Sequence, residues 1–267
     1  MKNKIKKILT SNTINRLRNL INYKPTISLK PVDPNSSVSD FFYWNTCDSF
    51  DTRIMLTNFS TQTLPDNPQV DHIKVIIYDK NGGKNKEIDI DLDPFETREL
   101  IFSEIVSQDY GSFFVFHKLD NMDEYKKQNS HLSERGYISY KRDNGIWSFM
   151  HGNHNAAYLD NKFKIHSIMG SSIKVKNPYL PQVSFLDQDE FEVILNNPSK
   201  KLNVVTIILK DDQENIIEKE IIEIKPYGTN IYNCKKKINT LELNSKNIFN
   251  RPIIIKHYRD NFDIFHG

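Results

Sequence analysis

Arg53-Ile54-Met55-Leu56-Thr57-Asn58 and Glu192-Val193-Ile194-Leu195-Asn196-Asn197 state one pattern twice. Each is a short apolar run that ends at an asparagine. Working outward, the same elements follow in the same order. A β-branched stretch comes next, Ile73–Tyr78 in one half and Val204–Leu209 in the other. A polar turn follows, Asp79-Lys80-Asn81-Gly82-Gly83 or Asp211-Asp212-Gln213-Glu214-Asn215. The first turn carries Asn-Gly, which tolerates positive φ and is a strong hairpin signal. Glu87–Leu92 and Glu218–Ile224 come after the turns, and Ile88, Ile90 and Leu92 alternate with Asp89 and Asp91 as on a half-buried strand. Both halves then turn at Pro94-Phe95-Glu96-Thr97 or Pro226-Tyr227-Gly228-Thr229. Both close on an apolar run ending in histidine, Phe113–His117 and Ile253–His257, the offset staying near 131–140 residues.

Six elements in one order read as an internal duplication. Short strands separated by frequent turn signals read as antiparallel sandwiches. The expected fold is therefore all-β, with two tandem antiparallel β-sandwich domains behind a short basic N-terminal helix. The expected boundaries are 1–34 for the arm and linker, 35–166 for the first sandwich and 167–267 for the second. Composition agrees: isoleucine is abundant and Ala156 and Ala157 are the only alanines, although AT-rich codons account for part of that bias.

Charge separates the arm from the body. Residues 1–32 carry Lys2, Lys4, Lys6, Lys7, Arg16, Arg18, Lys24 and Lys30 and no acid, whereas the whole chain is only +2. Ile5, Ile8 and Leu9, then Ile14, Leu17, Leu20 and Ile21, recur at helical spacing, and Pro25, Pro31 and Pro34 mark a linker. Residues 1–24 would either pack on the body or dock on a membrane surface or a protein partner, since anionic lipid attracts such segments. A transit peptide is a third reading.

Several classes are excluded or disfavoured. No apolar run approaches the roughly 20 residues of a spanning helix. The small net charge argues against a nucleic-acid partner. Two cysteines, Cys47 and Cys234, make neither a disulfide scaffold nor a cysteine-ligated zinc site. The arm lacks the apolar core of a signal peptide, so a cytoplasmic location is expected, with the arm at most peripheral on the inner membrane surface.

In the second half, Leu195-Asn196-Asn197, the strand–turn–strand leading to Pro226, and Pro252-Ile253-Ile254-Ile255-Lys256-His257 resemble the small β-sandwich family of sensory-rhodopsin transducers. The likeness is one of pattern and covers roughly 75 residues. The arrangement as a whole is similar to uncharacterised bacterial two-sandwich proteins. These resemblances imply a fold and no chemistry.

Residues 118–166 have no clear counterpart in the repeat. Asn121–Glu134 reads as a short helix. Arg135 to Arg142 then form a strand, Asp143-Asn144-Gly145 a turn, and Trp147, Phe149 and His151-Gly152-Asn153-His154-Asn155 follow. A core-completing hairpin is one reading of this segment. A concave binding site at 135–155 is another, with Tyr137, Tyr140 and Trp147 stacking on a saccharide or envelope-polysaccharide precursor. Arg135, Arg142, Asn153 and His154 would supply hydrogen bonds. A third is a metal-dependent hydrolase or isomerase, with zinc or another divalent ion held by His151 and His154 plus His117, His166 or His257. The helix-based zinc motif is absent, and Gly152 argues against one helix face carrying both histidines. A scaffold or homo-oligomer acting through exposed sheet edges is the last alternative. The preferred reading is non-enzymatic binding.

Overall fold

Alternating apolar and polar residues fold as half-buried strands, and the computed structural model is built almost wholly of them. It describes residues 36–127, 132–134, 136–160, 162–168, 178–245, 251–259 and 261–266, the side chains of 126, 127, 154 and 155 excepted. The expected arm, residues 1–34, lies outside the described residues. The described chain divides into two compact units at Ile168.

The first unit runs β1 (Ser37–Asn45), β2 (Phe50–Thr57), α1 (Phe59–Thr63), β3 (Asp71–Asp79), β4 (Lys84–Leu92), β5 (Thr97–Ile101), α2 (Phe102–Ile105), β6 (Tyr110–Leu119), α3 (Asp123–Lys127), β7 (Leu132–Glu134), β8 (Tyr137–Arg142), β9 (Ser148–His151), β10 (Asn153–Leu159) and β11 (Ile165–Ser167). One sheet has the order β11-β10-β1-β6-β3-β4, and the other β5-β2-β8-β9. Both are antiparallel, except that β7 adds to β1 in parallel. β1 and β6 hold the near-continuous apolar runs Phe41–Trp44 and Phe113–Phe116, and both strands are buried on both faces. Phe42 stacks on Phe113 across the sheet at 4.9 Å, and Trp44 stacks on Phe102 of α2 at 5.8 Å. Gly111 is obligatory there, because a Cβ would sit 2.1 Å from the carbonyl oxygen of Tyr78.

The second unit runs β12 (Pro178–Tyr179), β13 (Glu190–Asn196), β14 (Asn203–Lys210), β15 (Ile216–Ile224), β16 (Thr229–Cys234), β17 (Thr240–Ser245), β18 (Ile253–His257) and β19 (Phe262–His266). Its sheets are β12-β17-β14-β15 and β16-β13-β18-β19. Phe191, Val193, Leu195, Val205, Ile207, Leu209 and Ile254 lie in the core between them.

The two topologies coincide strand for strand: β1-β6-β3-β4 answers β12-β17-β14-β15, and β5-β2-β8-β9 answers β16-β13-β18-β19. The repeat is anchored by polar latches. Asn58 donates from its side chain to the carbonyls of Gln69 and Leu92, while Asn197 donates to those of Lys201, Ile224 and Lys225. Each asparagine oxygen accepts the hydroxyl of the serine two residues on, Ser60 or Ser199, at 2.7 Å. The proline turns match too, with Phe95 at φ 68° and Tyr227 at φ 60°. In the hairpin turns, Asp79 accepts the N–H groups of Asn81 and Gly83, and Asp211 those of Gln213 and Asn215. Asp160 repeats the device between β10 and β11, accepting from Lys162 and Lys164.

Two readings of the sequence are corrected. Phe113–His117 does not correspond to Ile253–His257: β6 answers β17, and β18 answers β8. Both runs are apolar and end in histidine, but only strand pairing decides equivalence. Residues 118–166 therefore contain two repeat strands, β8 and β9, and the unmatched additions are α3, β7, β10 and β11. Of the stretch Asn121–Glu134 expected as helix, Asp123–Lys127 forms α3, Leu132–Glu134 is strand, and 128–131 lie outside the described residues.

Candidate functional site

Strand periodicity sorts the residues of β2, β5, β8 and β9 between core and solvent. On β2, Phe50, Thr52, Ile54 and Leu56 point inward, leaving Asp51, Arg53, Met55 and Thr57 outward. Pairing of Arg53 with Ser139 and of Ser139 with Phe149 puts Tyr137, Ser139 and Lys141 of β8, and Phe149 and His151 of β9, on that same outer face. β5 adds Glu99 beside Met55. The result is a platform on the outer face of the sheet, open to solvent at Tyr137, Phe149 and Met55.

Arg53 organises its centre. Its Nε–H donates to Ser139 Oγ at 2.9 Å and its Nη1 to Glu99 Oε1 at 2.8 Å. The guanidinium lies 4.3 Å from the centroid of Trp147 and 5.7 Å from that of Phe149. Lys141 Nζ lies 4.8 Å from the Trp147 ring. Around this fixed cation, Tyr137 is 66% exposed, Phe149 55% and Met55 43%. Exposed aromatic rings combine apolar area with polar handles, the combination that recognition surfaces use.

The expected site residues divide. Tyr137 and Trp147 belong to the platform. Tyr140 does not: it is fully buried, stacks on Tyr43 at 5.9 Å and donates its hydroxyl to the carbonyl of Tyr43. Three residues along a strand reverse the face, so Tyr137 and Tyr140 cannot share a ligand. Arg142 is half-buried at the end of β8, opposite Phe50. Asn153 lies on β10, in the other sheet, because the chain crosses between sheets at Gly152. A Cβ there would meet Phe42 Cε1 at 2.6 Å. The expected concave site at 135–155 is thus split between the outer face of one sheet and a second sheet. Arg135 and the side chain of His154 lie outside the described residues. Arg53, Met55, Glu99 and Phe149 were absent from the sequence-based site. Their signal was the alternation of Arg53 and Met55 with Ile54 and Leu56.

The histidines are engaged separately. His117 is buried, with Nδ1–H donating to Asp71 Oδ2 at 2.8 Å and Nε2–H to Glu134 Oε2 at 2.7 Å. Burial alone would lower its pKa, but the two carboxylates outweigh it and hold the imidazolium up to about 9. This triad pins β7 against β3 and β6. His257 Nε2 meets Glu192 at 3.0 Å, His166 Nε2 meets Asp160 at 2.7 Å, and His151 Nδ1 donates to the Gly152 carbonyl at 3.0 Å. Among the described residues, no group of three or more His, Cys, Asp or Glu side chains is arranged to hold a metal ion. Burial pushes the thiols of Cys47 and Cys234 up, away from the reactive thiolate. No helix among the described residues is long and apolar enough to cross a membrane.

No family model matches this chain, and no curated protein matches it. Among solved structures, it aligns with a β-D-mannosidase from Dictyoglomus thermophilum at 8% identity and a TM-score of 0.17, covering 85% of this chain and 28% of that one. It aligns with a glycosyl hydrolase family 2 member from Bacteroides cellulosilyticus DSM 14838 at 9% identity and a TM-score of 0.16, covering 86% and 28%. The chain thus spans little more than a quarter of either structure, and TM-scores this low bear on neither its fold nor its activity.

Proposed function

We propose that the outer face of the sheet β5-β2-β8-β9 is a binding platform, and that its ligand is a saccharide. The observation that carries this reading is the fixed Arg53 guanidinium, seated over Trp147 and beside the open ring of Phe149, with the exposed Tyr137 on the same face. Sugar rings present apolar C–H faces and equatorial hydroxyls. Exposed aromatic faces cover the former, and Arg53, Ser139, Glu99 and Lys141 offer directed partners for the latter. Because Arg53 is already oriented by Ser139 and Glu99, little rotamer entropy remains to be lost on binding.

The test is a glycan array followed by saturation-transfer NMR on the full chain. Tyr137→Ala or Phe149→Ala is expected to weaken the best ligand by about tenfold, equivalent to roughly 1.4 kcal/mol, with the fold intact. Failure of every saccharide to bind, or binding that survives both substitutions, overturns the reading.

Protein association through sheet edges is less favoured. Two of the edge strands, β4 and β15, carry Lys84, Lys86, Glu87, Asp89 and Asp91, and Glu218, Lys219, Glu220 and Glu223, the charges that blunt edge-to-edge pairing.

A further inference from the structure

In the second unit, the face equivalent to the platform is built from different residues. Val193, Leu195 and Ile254 point into the core. Strand alternation then places Ile194 on β13, Ile253 and Ile255 on β18, and Phe262 and Ile264 on β19 on the opposite, outer face. An outer face should be wet. Instead Ile194 is 0% exposed, Ile253 1%, Ile255 0%, Ile264 8% and Phe262 9%. Every described strand of this unit lies in one of its two sheets, so none of them covers this face.

We infer that this isoleucine face is the docking surface for the chain's own N-terminal segment, residues 1–24. Three features select that occupant. Ile5, Ile8, Leu9, Ile14, Leu17, Leu20 and Ile21 supply an apolar stripe at helical spacing, which has no use in water. The length is sufficient: twelve to fifteen helical residues span about 18–22 Å, against about 15–20 Å across four strands. Charge is compatible, since every charged residue of 1–32 is basic, while β13 presents on this side Glu190, 3.6 Å from Lys235, and Glu192, 3.0 Å from His257. A docked arm has its apolar stripe spent on the sheet, so it is not available to a membrane.

The test uses the full chain and changes only the arm. A Leu17→Asp/Leu20→Asp variant is compared with the unaltered protein by hydrogen–deuterium exchange, by binding of an apolar dye, and by flotation with vesicles of phosphatidylcholine and phosphatidylserine. The expected result is amide exchange in β18 and β19 faster by about tenfold or more, a rise in dye binding, unchanged exchange in β3 and β6, and no flotation of the unaltered chain. Unchanged exchange in β18 and β19 overturns the proposal. So does a dimer by light scattering whose dilution alone uncovers the face, which would make the occupant a second copy. Flotation of the unaltered chain that the variant abolishes would assign the stripe to lipid, and also overturns it.

Discussion

The outer faces of two equivalent sheets have parted company while their backbones have not. Strand pairing sets Tyr137 in the place of Ile253, Ser139 of Ile255, Phe149 of Ile264, Arg53 of Glu192, Met55 of Ile194 and Glu99 of Ile231. One face mixes aromatic rings, ion-paired charge and hydroxyl, and stays open. The other is isoleucine-rich and closed. The latches and turns that fix strand order recur in both copies. The copied information is therefore the hydrogen-bonded frame, and the outward side chains are free to take separate tasks. This is the division between fold and site expected when a scaffold is reused.

The sharpest way to break the comparison is inside the first copy. Tyr137→Ala and Tyr140→Ala delete the same side chain three residues apart on β8. Tyr140→Ala is expected to cost about 3–5 kcal/mol by urea unfolding, since it empties a fully buried site and removes the hydrogen bond to Tyr43. Tyr137→Ala should stay within about 0.5 kcal/mol and lose ligand binding instead. Equal costs for the two would mean that the platform is structural.

The latches rank next. Asn58→Ala and Asn197→Ala each orphan carbonyls that the amide satisfies, and each is expected to cost about 2–3 kcal/mol in the unfolding of its own sandwich. Near-equal values would confirm that the two asparagines do the same work. A much smaller effect at one would show that its copy has replaced the latch.

The His117 triad distinguishes the copies by pH. The pKa rises from 6.5 to about 9 on folding. The native state therefore binds the proton more tightly, and the stabilisation is fully present below pH 6.5 and lost as pH rises through 9. Thermal scans should show the first sandwich losing up to about 3 kcal/mol across that window. A His117→Leu/Asp71→Asn/Glu134→Gln variant removes the two buried carboxylates together with the imidazole and should lack this loss, and persistence of the loss there would assign it to another group such as His72.

These contrasts also show what a one-dimensional reading can reach. Repeat order, turn positions and the alternation on β4 were legible, because the side-chain oxygens of Asn58 and Asn197 and of Asp79 and Asp211 cap turns within four residues of themselves. The final pairing was not. An apolar run ending in histidine occurs in both β6 and β18, and sequence similarity cannot report which neighbour a strand bonds to. The platform was half legible: Tyr137 and Trp147 are near in sequence, but Arg53 and Glu99 reach them only through the pairing of β2 with β8 and β5. Tyr140 was assigned to the ligand although strand parity alone sends it to the core.

The smallest expected effect tests the equivalence of the hairpin turns. The fourth turn position has positive φ in both copies, 79° at Gly82 and 62° at Glu214. Glycine takes that conformation without cost, whereas a residue with a Cβ forgoes about 1 kcal/mol. Gly82→Ala should thus destabilise the first sandwich by about 1 kcal/mol. Glu214→Gly should stabilise the second by somewhat less, because it also removes the exposed ion pair of Glu214 with Lys210. Opposite signs from opposite substitutions at one position would establish that the turns are copies in geometry as well as in order. Destabilisation by Glu214→Gly would mean that its side chain contributes more through Lys210 and Thr240 than its backbone strain costs, and the two hairpins would then differ in what holds them.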